Sequence, residues 1–153
     1  MGKLHVSLSA EILCRIVGLE TDTADIARNT RVTKADYFLA LSDGDGANQA
    51  QLIYSDNRTS GGTDTFQLSA LSDTRDGAAV SVVFSAVKTL YVENTHASAT
   101  LTLTGAFTGS VPAGGMLLVT NPTAGGTAAG TLYIASSVGA TYKLVIVGEG
   151  SIV

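Results

Sequence analysis

Short apolar runs separated by turn-forming residues recur along the whole chain. Residues 4–8 alternate between aliphatic and polar side chains, and residues 100–104 alternate strictly between Thr and Leu. A period of two residues is typical of a strand with one buried face. Further segments rich in β-branched and aromatic residues also predict strands, and they occupy residues 37–41, 51–54, 65–68, 80–84, 88–94, 116–119, 131–134 and 142–147.

Glycine, asparagine, aspartate and proline separate these segments at intervals of roughly 8–12 residues. Residues 42–48 contain two Asp-Gly pairs, which favour the positive φ of tight turns, and residues 55–62 and 72–77 are predicted turns as well. Many short strands at this spacing indicate a sandwich or a barrel. We therefore expect an all-β fold, a jelly-roll-like β-sandwich of about eight strands.

The N-terminal segment differs from the rest of the chain. Residues 4–17 predict a strand or an extended arm, and residues 19–34 predict a long polar connection with at most one helical turn. The expected division is an N-terminal strand, arm and connection over 1–34 and a β-sandwich domain over 35–153. An arm of this kind is able to pair with a strand of a neighbouring protein through its free backbone groups.

The charge and composition of the chain restrict the classes of molecule that it is expected to bind. The chain has 153 residues and a net charge of -4, which disfavours nucleic acid and anionic membranes as partners. Charged residues make up 14% of the chain, against roughly 25% in ordinary soluble domains, so part of the surface is expected to contact protein.

The single cysteine, Cys14, excludes an internal disulfide. No run of about 18 apolar residues and no signal-peptide pattern is present, and we expect synthesis in a reducing cytoplasm.

The residues that carry chemistry are sparse. His5 and His96 are the only histidines, no G-x-S-x-G pattern occurs, and neither a catalytic nor a cofactor-binding set can be assembled. Asp43, Asp45 and Asn48 offer oxygen ligands for calcium, but an EF-hand loop would need Gly at position 48 and Glu at position 54. A looser calcium site is the alternative to a plain Asp-Gly turn. We expect no enzymatic activity and no cofactor.

Several motifs carry a resemblance to a known group. They include Leu41 to Ala50, Val87 to Asn94, the turn Val111 to Gly115, Thr120-Asn121-Pro122 and the closing strand Tyr142 to Gly148. In these motifs the chain resembles small structural proteins of tailed bacteriophages, of the head decoration or capsid cement type. The resemblance implies a virion protein on the outer surface of the capsid, bound as a homotrimer to the major capsid protein.

Two other classes of function stay open. The first is a phage tail or head-fibre component, although a tail-tube subunit should carry a long hydrophobic β-hairpin, and none is clear from the sequence. The chain also has no Trp, five Tyr and four Phe, a small supply of aromatic residues for a receptor-binding surface. The second class is a small β-sandwich binding module.

Overall fold

The computed structural model describes residues 8–21, 30–75 and 77–153. Within these ranges the chain forms β-strands and no helix, which confirms the predicted all-β fold. None of these residues belongs to a helix able to cross a membrane. The strands are β1 (Ala10–Thr21), β2 (Thr30–Asp43), β3 (Gln49–Ala50), β4 (Leu52–Ser60), β5 (Thr63–Gln67), β6 (Leu71–Arg75), β7 (Ala78–Asn94), β8 (Leu101–Gly105), β9 (Gly109–Val111), β10 (Met116–Thr120), β11 (Thr127–Ala128), β12 (Thr131–Ala135) and β13 (Ala140–Ile152).

These strands form three sheets. A six-stranded sheet has the order β10-β7-β13-β4, and β6 and β11 also pair with β7. A four-stranded sheet has the order β5-β12-β8-β9, and a three-stranded sheet has the order β1-β2-β3. The pairing of β2 with β3 is parallel, and the other pairs are antiparallel.

The main hydrophobic core lies between the six-stranded and four-stranded sheets. Leu90 and Leu144 from the first sheet and Leu101 and Leu132 from the second are fully buried in one cluster. Two sheets that pack their apolar faces together form a β-sandwich, so this part of the prediction is confirmed. The jelly-roll arrangement of the strands stays a prediction.

Long strands replace several of the predicted short ones. β7 runs unbroken from Ala78 to Asn94 where the sequence predicted two strands, and β13 pairs with it through two register shifts after Val147 and Glu149. A Cβ on Gly148 would lie 2.1 Å from the carbonyl oxygen of Ala86, so only glycine fits at this bulge. The bulges let β13 follow β7 along its whole length.

Two of the predicted turns are wrong. Residues 55–60 continue β4, and residues 71–75 form β6. The polar residues that suggested a turn instead pair with each other on β4, where Arg58 forms an ion pair of 2.7 Å with Asp56. The Arg58 guanidinium also lies 4.6 Å from the ring centre of Phe66. Paired charges therefore occupy strand positions that sequence patterns assign to loops.

The predicted polar connection is also wrong at both of its ends. Residues 19–21 belong to β1 and residues 30–34 to β2, and the two strands pair in continuous register from Ala10 with Leu41 to Thr21 with Thr30. They form a long hairpin, whose connecting residues 22–29 lie outside the described residues, as do residues 4–7 of the predicted first strand. The predicted domain boundary after residue 34 falls inside β2, and the division stays a prediction.

The base of the hairpin forms a third layer over the outer face of the six-stranded sheet. Leu39 and Leu41 are buried against Val147 of β13. Leu8, Ala10 and Ile12 pack against the same small cluster. This second core is separate from the main one, so the hairpin is attached to the sandwich and does not build it.

Candidate protein-binding site

The hairpin presents two faces because side chains alternate along each strand. Ile12 lies opposite Leu39 and Cys14 opposite Tyr37 on the face that turns toward the sheet. Exposure on β2 rises from 2% at Leu41 and 7% at Leu39 to 40% at Tyr37. The base of the hairpin is therefore packed, and the part beyond Tyr37 emerges from the body.

The opposite side of the hairpin, which we name the hairpin face, is exposed along its described length. Leu13 is 61% exposed, Val17 57% and Phe38 59%. Arg15 and Asp36 lie on the same face, and the Arg15 Nε donates a hydrogen bond of 2.9 Å to Asp36 Oδ1. Exposed apolar residues grouped in this way typically mark an interaction surface. The hairpin face is formed by Glu11, Leu13, Arg15, Val17, Asp36, Phe38 and Ala40.

A cleft of about 520 Å³, which we name the docking cleft, lies between β1 and the outer face of the six-stranded sheet. An adjoining hollow of about 480 Å³ shares Cys14, Met116 and Leu118 with it. Tyr37 and Thr120 border this hollow, and their hydroxyl oxygens are 2.9 Å apart, within hydrogen-bond distance. The floor of the docking cleft is mostly apolar and consists of Ile53, Thr89, Tyr91, Met116, Leu118, Val145 and Val147.

An unpaired strand edge borders the docking cleft. Among the described residues β1 pairs with β2 alone, so its other edge leaves backbone N–H and C=O groups without strand partners. Residues 10–15 of β1 all line the cleft. A free edge of this kind can accept an added strand, whose side chains would alternate between the apolar floor and the solvent.

The structure describes two of the three residues considered for nucleophilic chemistry, His96 and Cys14. His5 lies outside the described residues. His96 lies in a turn, where its Nδ1 accepts hydrogen bonds from the backbone N–H groups of Ser98 (3.2 Å) and Ala99 (3.0 Å). Cys14 is half-buried on the sheet-facing side of β1 and lines the docking cleft. The described hydrogen bonds of the His96 ring therefore lie within its own turn, and Cys14 lies at the docking cleft.

The calcium candidates lie in and beside the turn between β2 and β3. Asp43 Oδ1 accepts a hydrogen bond of 3.3 Å from the backbone N–H of Leu8, and Asn48 adopts a positive φ of 56°. The described part of the chain contains no group of three or more His, Cys, Asp or Glu side chains placed to hold a metal. The calcium site at Asp43, Asp45 and Asn48 stays a prediction.

A buried lysine supplies the positive charge beside this turn. The Lys88 side chain is fully buried, and its Nζ lies 2.5 Å from Glu149 Oε1. The same ammonium donates hydrogen bonds to the carbonyl oxygens of Gly46 (3.4 Å), Ala124 (3.0 Å) and Thr123. Lys88 of β7 thus forms hydrogen bonds with the turn that contains Gly46 and with the turn that contains Thr123 and Ala124. No sequence signal distinguishes this lysine from an exposed one, because its carbonyl partners are distant in the chain.

Among the described residues, the tyrosine with the most strongly raised pKa lies in the sandwich and away from the docking cleft. Burial raises the pKa of Tyr142 far above its ordinary value, and the hydrogen bond that its hydroxyl donates to Asp64 Oδ2, 2.6 Å long, raises the pKa further. Neither residue lines the docking cleft. The raised pKa of Tyr142 therefore follows from its burial and its hydrogen bond to Asp64.

Comparisons with known proteins identify no relative of this chain. No family model, no curated protein and no solved structure matches this chain. The functional assignment therefore depends on the motifs of the sequence and on the two surfaces described above.

Proposed function

We propose that the protein is a non-enzymatic virion structural protein of a tailed bacteriophage, a decoration or cement protein that binds the outer surface of the capsid and stabilises it. The observation that carries the proposal is the docking cleft, an apolar cleft beside an edge of β1 that no strand in the described part of the chain pairs with. The resemblance of the sequence motifs to head decoration proteins supplies the class of partner, the major capsid protein. The low share of charged residues, 14%, also suits a surface that contacts protein.

The proposed binding step is strand addition. An extended segment of the capsid protein would form backbone hydrogen bonds with the free edge of β1 and place alternate side chains on the cleft floor, against residues such as Tyr91 and Leu118. Burial of apolar area contributes about 25 cal/mol per Å². The binding free energy of a single cleft is modest. A capsid shell offers many copies of the same contact, and avidity among linked copies strengthens attachment.

The test compares the wild-type protein with Met116→Glu in a pelleting assay on undecorated capsids of the phage that encodes the protein. Met116 is 50% exposed, so a charge there disturbs the cleft floor with little effect on folding. The matched control is Val138→Glu, because Val138 is 53% exposed and lies outside the cleft. We expect saturable binding by the wild type and the control, and at least a tenfold loss for Met116→Glu. Equal binding by all three proteins would overturn the proposal.

A phage tail component is the second candidate, and one observation favours it. The hairpin of β1 and β2 is long and exposes Leu13, Val17 and Phe38, which is the feature expected of a tail-tube subunit and not evident from the sequence. Gold-labelled antibodies against the protein, applied to intact virions, distinguish the two candidates. Labelling spread over the head supports decoration, and labelling confined to the tail supports the second candidate.

The oligomeric state of the decoration protein is part of the proposal. The resemblance implies a homotrimer, and sedimentation of the purified protein gives the number of copies directly. A homotrimer in solution supports the threefold arrangement over capsid contacts. A stable monomer contradicts it without affecting the docking cleft.

A further inference from the structure

The hairpin face is separate from the floor of the docking cleft. Glu11, Leu13 and Arg15 also border the cleft, whereas Val17 and Phe38 do not. Leu13 and Phe38 lie opposite each other in the middle of this face. Glu11 precedes Leu13 by two residues and Arg15 follows it by two, so an acidic and a basic residue flank Leu13 at equal distances on the same strand. Successive residues of a strand are about 3.3 Å apart along the backbone, so the Cα atoms of Glu11 and Arg15 lie about 6.6 Å from that of Leu13.

The charges on the hairpin face can pair with those of a second, identical hairpin face. A twofold axis that crosses the strands at the level of Leu13 and Phe38 would stack two hairpin faces back to back. Each Leu13 and Phe38 would then lie over its equivalent in the second copy, and Glu11 would lie over Arg15 of the second copy. An axis parallel to the strands would place Arg15 over Asp36 of the second copy and Glu11 over Ala40. Arg15 and Asp36 already pair within each copy at 2.9 Å, so only the first axis gives Glu11 an opposite charge.

We propose that the hairpin face is a contact between two copies of this chain, related by a twofold axis through the pair Leu13–Phe38. Arg15 then lies between its own Asp36, at 2.9 Å, and Glu11 of the second copy. Because the bodies lie on the far side of each hairpin, the two sandwiches point away from each other. A stacked pair of sheets is about 10 Å thick between backbones, which leaves room for the leucine and phenylalanine side chains.

The partner in this contact is a second copy and does not depend on the proposed capsid function. A twofold contact closes on two copies. The inference thus predicts a dimer, or a hexamer if the threefold contact implied by the resemblance also forms. Complementary charges across such a contact mainly decide which partners are accepted, since like charges that face each other are strongly unfavourable.

The test uses charge reversal with mutual rescue on the full-length free protein. In Glu11→Arg two arginines of one copy face two of the other, and in Arg15→Glu the facing residues are all acidic. We expect the twofold contact in wild-type protein, its loss in each variant alone, and its return in an equimolar mixture of the two variants. In the mixed pair the introduced arginine faces the introduced glutamate, and the native Arg15 of one copy faces the native Glu11 of the other. Native mass spectrometry identifies the mixed pair by its mass, and sedimentation over a concentration series measures its affinity.

The control is Val138→Glu, a charge introduced at an exposed residue outside the hairpin face, which should associate as the wild type does. Thermal unfolding of each variant checks that loss of association is not loss of fold. A wild-type protein that is only monomeric or only trimeric would overturn the inference, and so would variants that stay paired or a mixture that does not associate. The measurement contains no capsid, so its failure is distinct from failure of the proposed function.

Discussion

Leu13 on β1 lies directly opposite Phe38 on β2, and the two side chains are 61% and 59% exposed. The neighbouring pair, Ile12 and Leu39, faces the sheet and packs in the second core. Cross-strand apolar pairs contribute to a sheet mainly when another layer covers them. The hairpin therefore has one face that the body covers at its base and one face that is exposed along its described length.

Replacement of both exposed residues should leave the fold intact. At a protein concentration low enough to keep the wild type monomeric, we expect Leu13→Ser combined with Phe38→Ser to change the free energy of unfolding by less than about 1 kcal/mol, because exposed positions contribute little to folding. It should also abolish the twofold contact. The control is Leu101→Ala, at a fully buried position, which should lower the free energy of unfolding by about 2–5 kcal/mol. Urea unfolding measures both, and equal losses would show that the hairpin face is packed in the free protein.

Deletion of residues 1–30 should remove attachment but not the fold. The main core consists of residues from Leu52 onward, so the truncated chain keeps every side chain of that cluster. We expect a cooperative unfolding transition together with loss of capsid binding, because the edge of β1 is gone. Unchanged affinity for capsids would contradict the role of β1. Loss of cooperative unfolding would show that the first strand is part of the core.

Sequence patterns predict the sandwich well where strands are half-buried. The strict alternation of β8 places Leu101 and Leu103 in the core and its threonines outward, as expected. The hairpin was not predicted because an alternation of apolar and polar residues arises only where one face of a strand is buried. Ile16 and Val17 lie on opposite faces, and both are more than half exposed. The docking cleft could not be predicted either, because it forms between β1 and strands that are distant in the chain.

Replacement of Lys88 should destabilise the protein strongly. We expect Lys88→Met to lower the free energy of unfolding by about 3–5 kcal/mol, because it leaves Glu149 without its partner in a buried environment. Adding Glu149→Gln should recover part of the loss by removing the unpaired charge. Urea unfolding of the single and double variants gives the coupling between the two residues. A loss below about 1 kcal/mol for Lys88→Met would contradict the buried ion pair.

The protein should lose stability at alkaline pH. The folded state raises the pKa of Tyr142, so it holds this proton more tightly than the unfolded chain does. The stabilisation is therefore complete below the ordinary tyrosine pKa of about 10 and decreases as the pH rises above it. Tyr54 and Tyr91 contribute in the same direction, since burial raises the pKa of each.

Tyr142→Phe tests how much of the loss of stability at alkaline pH is due to the Tyr142 hydroxyl and its hydrogen bond to Asp64. At neutral pH we expect a loss of about 1.5–3 kcal/mol, because the hydroxyl donates to the carboxylate of Asp64. Above about pH 10 the variant should lose stability less steeply than the wild type. Urea unfolding across neutral and alkaline pH measures both effects, with Tyr133→Phe as the control for removal of a hydroxyl from an exposed tyrosine. Identical pH profiles for wild type and Tyr142→Phe would refute the assignment.

Hydrogen–deuterium exchange of the protein, free and bound to undecorated capsids, tests the central claim most directly. Alternate N–H groups of β1 point away from β2, and an added strand would hydrogen-bond them. We predict that capsid binding slows exchange in a peptide covering residues 10–17, while the four-stranded sheet exchanges as in the free protein. Binding that leaves residues 10–17 unprotected, or a protein that does not bind capsids at all, would contradict attachment through the docking cleft.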